Sequence, residues 1–180
     1  MQHCGTRTIE TPRLILRRFQ ESDLEDMLAN WAADPRVQTE YGEPVYTTAA
    51  EAQVLLDRYI GGYSLDSFYR WAVTERQSGR NIGQIAFCRV YEDIRTAEIE
   101  YCIGTEFQGH GYVGEALSAV IAYIFQNTDF RRLEAYHRAE NTKSGRVLEK
   151  SDMHITDNVE RFRRQGETPV GEVCYCIERS

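Results

Sequence analysis

The segment Gln108-Gly109-His110-Gly111-Tyr112-Val113-Gly114 constrains this chain more than any other. It follows a stretch with strand periodicity, Ala97 to Ile103. It opens a strong helix signal: Val113, Ala116, Leu117, Val120, Ile121 and Ile124 recur at the spacing of one buried helical face. Glycines between a strand and a helix let the backbone come close to a bulky anion. The unpaired N–H groups of the first helical turn then point at that anion, and the helix dipole adds partial positive charge. A tight turn that only joins strand to helix needs fewer glycines, but it stays open as the plainer reading.

The remaining pattern frames this loop. Arg13 to Phe19 reads as a first strand. Ser22 is positioned to cap a helix with Leu24, Met27, Leu28 and Trp31 on its apolar side, ended by Pro35. Thr47 or Thr48 opens a second helix with Ala52, Leu55, Leu56 and Tyr59 inward, stopped by Gly61-Gly62. Three strands follow: Tyr69 to Glu75, Ile82 to Val90 and Ala97 to Ile103. The connections Gln77 to Arg80 and Tyr91 to Arg95 are short, which implies antiparallel neighbours. Beyond the central helix come a strand at Arg132 to His137, a helix from Asn141 to about Lys150, and two closing strands, Met153 to Phe162 and Val170 to Ile177. The expected fold is α/β (α+β): a mixed, mostly antiparallel sheet flanked by about four helices, with residues 1–180 as one domain.

The charge balance narrows the function. The formal net charge is −7, without the basic footprint of a nucleic-acid binder. Such a surface attracts cationic acceptors, while an anionic cofactor needs a locally positive field. The first residues lack the apolar core of a signal peptide, and Leu117 to Phe125 is too short to span a bilayer. Five scattered cysteines without a Cys-x-x-Cys argue against a disulfide framework or a structural zinc site. A cytoplasmic protein with no membrane partner and no metal is expected, and a homodimer stays open.

Gly109, Gly111 and Gly114 also spell G-x-G-x-x-G, the dinucleotide fingerprint, and Glu134 lies about where the ribose acid should. An NAD-dependent oxidoreductase is therefore the alternative. Its context fits less well. In that fold the first glycine nearly abuts the strand and further parallel βαβ units follow. Here Gly104 to Gln108 intervene, and antiparallel strands precede the loop.

Read from Gln108, the same residues give Q-x-x-G-x-x. Together with Glu10 to Arg17, with Ala97-Glu98-Ile99, and with Asn141 to Lys150, they resemble the GCN5-related N-acetyltransferases (GNAT), in the branch of the ribosomal-protein N-terminal acetylases (RimJ/RimL type). The resemblance covers nearly the whole chain. It implies acetyl-CoA as cosubstrate and an amine as acceptor, either a peptide N-terminus or a small molecule. It further implies cofactor contacts from the loop residues Gln108, Gly109, His110, Gly111, Tyr112, Val113 and Gly114, from Asn141 on the pantetheine arm, and from Ser144. Backbone N–H groups of Tyr101, Cys102 and Ile103 would meet the oxyanion, freed by a bulge in that strand.

Acetylation of an amine needs a base, oxyanion donors and a donor to the departing thiolate. Glu98 is the candidate base and Ser144 the candidate donor. Glu100, on the same strand face by alternation, is the other candidate base. Solvated strand carboxylates, and a serine that serves only the helix cap, are the plainer readings. Cys102 reads as a small buried hydrophobe, and His137 and His154 as structural or surface residues. The chain departs from the family at Glu100, where a small residue is usual, at His110 for Lys or Arg, at Val113 for Gly or Ala, and at Asp152 for Gly. These departures leave room for a non-catalytic acyl-CoA-binding module. The resemblance implies that the first two helices and their connecting loop shape the acceptor pocket, where Asp34, Glu40, Tyr41 and Glu43 read either as an acidic, aromatic wall suited to a cation or as a solvated acidic loop.

Overall fold

The computed structural model describes residues 1–179. One eight-stranded sheet runs in the order β1-β2-β3-β4-β5-β6-β8-β7. Its strands are β1 (Ile9–Glu10), β2 (Leu14–Arg17), β3 (Arg70–Glu75), β4 (Asn81–Tyr91), β5 (Thr96–Ile103), β6 (Arg132–Arg138), β7 (His154–Ile155) and β8 (Glu172–Glu178). All neighbours are antiparallel except β5 and β6. The crossover between those two is the central helix α4 (Tyr112–Asn127), which supplies the long connection that a parallel pair requires. The expected mixed sheet and its antiparallel centre are present.

Two apolar layers cover the sheet. On one face Leu117, Val120 and Ile124 of α4 pack with Leu14, Leu16, Trp71 and Ile85, all essentially inaccessible to solvent. On the other, Met27, Trp31, Leu55 and Leu56 pack with Ala72 and Cys102. The period-two strands thus feed alternate side chains to opposite layers. Among the described residues, no helix is long and apolar enough to cross a membrane.

The early helical region differs from the expected pair. The first helix is capped by Gln20 rather than Ser22. It proceeds through a short 3₁₀ turn (Glu21–Asp23) and α1 (Leu24–Met27) into a π turn (Leu28–Ala32). Pro35 does not end a helix but starts one. It occupies the first turn of α2 (Pro35–Tyr41), where its missing N–H costs nothing, and Asp34 caps that turn by accepting the Arg36 N–H. The long helix α3 (Ala49–Gly62) begins with a capping box of Thr48 and Glu51, as one of the two expected starts.

The C-terminal region needs a second correction. Met153 to Phe162 is not a strand. Only His154–Ile155 pair with β8, and the chain then forms helix α6 (Glu160–Gln165). Glu134 of β6 accepts the Glu160 N–H at 3.0 Å and so ties down the start of α6. With α5 (Thr142–Glu149), the described residues form six α-helical segments where about four are expected, because α2 and α6 are too short to show a helical period.

Candidate active site

The parallel ladder between β5 and β6 is short. Thr96, Ala97 and Glu98 face Arg132, Leu133 and Glu134, and the two strands then part. β5 stays paired to β4 as far as Ile103. Its free edge therefore borders an open cleft of about 1290 Å³ that runs from Glu40 and Glu43 at one end to the Gln108–Gly114 loop and α5 at the other. Gly104 donates to the Ile82 carbonyl of β4 and Gln108 Nε2 donates to the Ile103 carbonyl, so odd-numbered residues present their backbone groups to the cleft. Of the three expected oxyanion donors, Tyr101 and Ile103 aim their N–H groups there. Cys102 aims its N–H into β4. The expected bulge also lies elsewhere: the irregularity is in β4, between Phe87 and Arg89. The divergence of β6, rather than a bulge at Tyr101 to Ile103, exposes this edge.

The loop has the geometry its glycines allow. Gly109 and Gly111 adopt left-handed φ values of 80° and 79°. Gly111 is the N-cap of α4 and offers no side chain, so the N–H groups of the first turn stay open toward the cleft. Gly114 is already helical, and a methyl there would meet no atom of the chain within 4 Å. The third glycine of a dinucleotide fingerprint serves close helix–strand packing, and that need is absent here. Upstream, a Cβ on Gly104 would overlap the Asn30 carbonyl oxygen, so the π turn packs directly under the loop's entry.

Two cations reach the loop that the motif alone does not reveal. Arg13 Nη1 donates to the His110 carbonyl at 2.7 Å, Arg13 Nε pairs with Glu115 at 2.6 Å, and the guanidinium lies 4.8 Å from the Tyr112 ring centroid. Lys143 Nζ donates to Gln108 Oε1 at 2.9 Å. They supply positive charge near a loop in which His110 replaces the usual Lys or Arg. The His110 ring stacks on Tyr112, and its Nδ1 lies 3.2 Å from the Phe107 carbonyl. Val113 packs its branched side chain against the α4 core while still bordering the cleft.

Asn141 caps α5: its Oδ1 accepts the Ser144 N–H at 3.1 Å. That bond fixes the first turn of α5 and turns the Ser144 hydroxyl to the cleft, where Ser144 Oγ and Tyr101 Oη lie 2.7 Å apart. Burial pushes the Tyr101 phenol up to about 12. His137 packs beneath α5, where a Cβ on Gly145 would stand 3.0 Å from its ring.

The two strand glutamates have different surroundings. Glu98 is 3% exposed, does not line the cleft, and is held by Arg89 at 2.5 Å and Arg161 at 3.8 Å. Glu100 is 23% exposed, lines the cleft and pairs with Arg70 at 2.9 Å. Arg70 also donates to Gln84 and lies 4.2 Å from the Tyr59 ring centroid, so Glu100 sits on a rigid support. Glu40, Tyr41 and Glu43 border the same end of the cleft. Asp34 does not. It caps α2, pairs with Arg36 and accepts the Thr105 hydroxyl at 2.8 Å. Cys102 is buried, and desolvation lifts its thiol to about 12, which removes it as a nucleophile.

A sheet split beside a helix N-terminus without a side-chain cap, with a hydroxyl and a carboxylate facing the gap, suits acyl transfer better than dinucleotide binding. The family model for the acetyltransferase (GNAT) domain matches residues 13–154, and the chain belongs to that family of N-acetyltransferases. It is 28% identical to the uncharacterized N-acetyltransferase YoaA of Bacillus subtilis, over 94% of this chain and 95% of that one. Its fold is similar to the GNAT-family acetyltransferase structure from Bacillus anthracis, with a TM-score of 0.79, 24% identity and coverage of 96% and 99% of the two chains. A segment of 66 residues, 37% of either chain, is 36% identical to the ribosomal-protein-serine acetyltransferase of Escherichia coli.

Proposed function

We propose that this acyltransferase, acting as one domain, moves the acetyl group of acetyl-CoA to a primary amine by direct attack in the β5–β6 gap. One observation carries the reading: free N–H groups of β5, the open α4 N-terminus and Ser144 converge on a single cleft. GNAT enzymes use acetyl-CoA, and this cleft has the parts to hold it. The α4 N-terminus, Gly109, Gly111 and Gln108 would grip the pyrophosphate, with Arg13 and Lys143 adding charge. Asn141 would border the pantetheine arm, and Tyr101 and Ile103 would donate to the developing oxyanion.

Glu100, not Glu98, is the base in this reading. A base must reach the acceptor directly or through one water. Glu98 is enclosed by two arginines, whereas Glu100 faces the gap. The cationic acceptor gives one proton to solvent to free its lone pair, and Glu100 takes the second from the nitrogen as the C–N bond forms. Ser144 donates to the sulfur as the C–S bond breaks. Glu40, Glu43 and Glu100 favour a cationic acceptor, and the resemblance to a ribosomal-protein-serine acetyltransferase supports a peptide N-terminus.

Calorimetric titration with CoA tests the first part, with dissociation in the micromolar range expected and no heat at millimolar ligand refuting it. A panel of Ser- and Ala-initiated peptides against small amines, read by CoA release, tests the second. Turnover of polyamines alone would exclude the peptide assignment.

A further inference from the structure

We propose that Tyr101, through its side chain, is a positioning residue that aims the Ser144 hydroxyl at the sulfur of the thioester. The proposal rests on the acetyl-transfer reading above and adds a residue to it. The two oxygens lie 2.7 Å apart across the gap between β5 and α5. Either oxygen could donate to the other by distance alone, and chemistry decides the direction. A phenol is a far stronger acid than an aliphatic alcohol, so the lower-energy arrangement has Tyr101 O–H donating to Ser144 Oγ. The serine proton is then the one left over. It cannot turn back onto its partner, and it is left free to rotate into the cleft that both residues line.

The surroundings hold this arrangement. The Tyr101 ring packs against the α4-side core beside Ile99 and Ile103. Ser144 is fixed from its other side by Asn141, whose side-chain Oδ1 accepts the Ser144 N–H. One residue of the pair is thus anchored on a central strand and the other on a capped helix. Such preorganisation strengthens donation to charge that develops only in the transition state. Because burial raises the phenol to about 12, Tyr101 keeps its proton through the whole working range. Neither residue gives up a proton for good. Their hydrogen bonds share the charge on sulfur until solvent protonates the released thiolate, so the nitrogen proton taken by Glu100 and the proton gained by sulfur balance.

The test is a double-mutant cycle on the intact chain. Tyr101→Phe keeps the ring and deletes only the hydroxyl, so the fold and the backbone N–H are retained. Its kcat should fall about tenfold, the size of one oriented hydrogen bond, with CoA affinity by calorimetry and the KM for acetyl-CoA within about twofold of the parent. Ser144→Ala should lose at least as much. The double variant should be no slower than Ser144→Ala, because Tyr101 acts only through that hydroxyl. Losses that multiply would overturn the pairing while leaving the acetyl-transfer reading intact. So would a Tyr101→Phe variant that loses CoA affinity as much as turnover, or one slowed while Ser144→Ala is not. A parent protein that binds CoA yet releases none from acetyl-CoA with any amine would overturn both.

Discussion

At the scale of single residues, the sharpest division is between two glutamates on one strand face. Glu98 neutralises Arg89 and Arg161 in a nearly inaccessible site. Replacing it with Gln strips a buried ion network of its anion. We expect Glu98→Gln to lower stability by roughly 2 kcal/mol, measured by urea unfolding, with kcat in the folded protein nearly unchanged. Glu100→Gln should do the reverse, lowering kcat by about a hundredfold with little shift in the unfolding midpoint. If Glu98→Gln abolishes turnover without destabilising the protein, the base assignment must return to Glu98. The sequence made both carboxylates visible and, through alternation, their common face. It could not separate them, because the arginines that do so come from β3, β4 and α6. Arg13 and Lys143 escaped for the same reason: each lies far along the chain from the loop it touches.

At the scale of elements, periodicity revealed what was long and missed what was short. The stripe from Val113 to Ile124 announced α4, and Thr47 or Thr48 ahead of the stripe Ala52, Leu55, Leu56 and Tyr59 announced α3. Two helical turns in α2 and fewer in α6 bury too few residues to show a period. Pro35 reads as a helix end in the sequence yet starts α2, because proline punctuates a helix at either end and only the Asp34 cap decides which. That cap has a use beyond α2. The Arg36 guanidinium holds the Asp34 carboxyl well below the usual carboxylate range, and the same group receives Thr105 just ahead of the loop. Asp34→Ala should cost about 1 kcal/mol for the lost cap and also weaken CoA binding, because Thr105 loses its tether. Unchanged CoA affinity would show that the loop does not depend on α2. The left-handed Gly111 joins the loop to α4 as its N-cap. In Gly111→Ala an alanine at φ 79° is disfavoured by about 1–2 kcal/mol, so CoA should bind roughly tenfold more weakly while α4 remains intact by circular dichroism.

At the scale of the whole molecule, both faces of the sheet bury ionisable groups. The α4 face buries the phenols of Tyr69 and Tyr101 among its apolar side chains, and the face under α1 and α3 buries Tyr59, Tyr63 and a thiol beside Arg70. Burial raises Cys102 from 9.0 to about 12, Tyr63 and, on the opposite face, Tyr101 from 10.0 to about 12, and Tyr59 further still. In the unfolded chain these groups release protons from about pH 9 to 10 upward, while the folded protein keeps them. The folded state then binds more protons than the unfolded one, so stability is complete below pH 9 and falls as pH rises toward 12. Each group steepens the fall by at most about 1.4 kcal/mol per pH unit. Urea unfolding under reducing conditions should therefore lose on the order of 3 kcal/mol or more between pH 8 and 11. The onset separates the contributors. Between pH 9 and 10 the unfolded chain ionises its thiols first, and Cys88, Cys174 and Cys176 are raised by burial as Cys102 is, so Cys102→Ala should lessen that part of the slope by one thiol's share and leave the tyrosine-driven fall above pH 10. A Cys102→Ala curve that kept the full slope from pH 9 would mean that this thiol has no share in the alkaline limit of the fold.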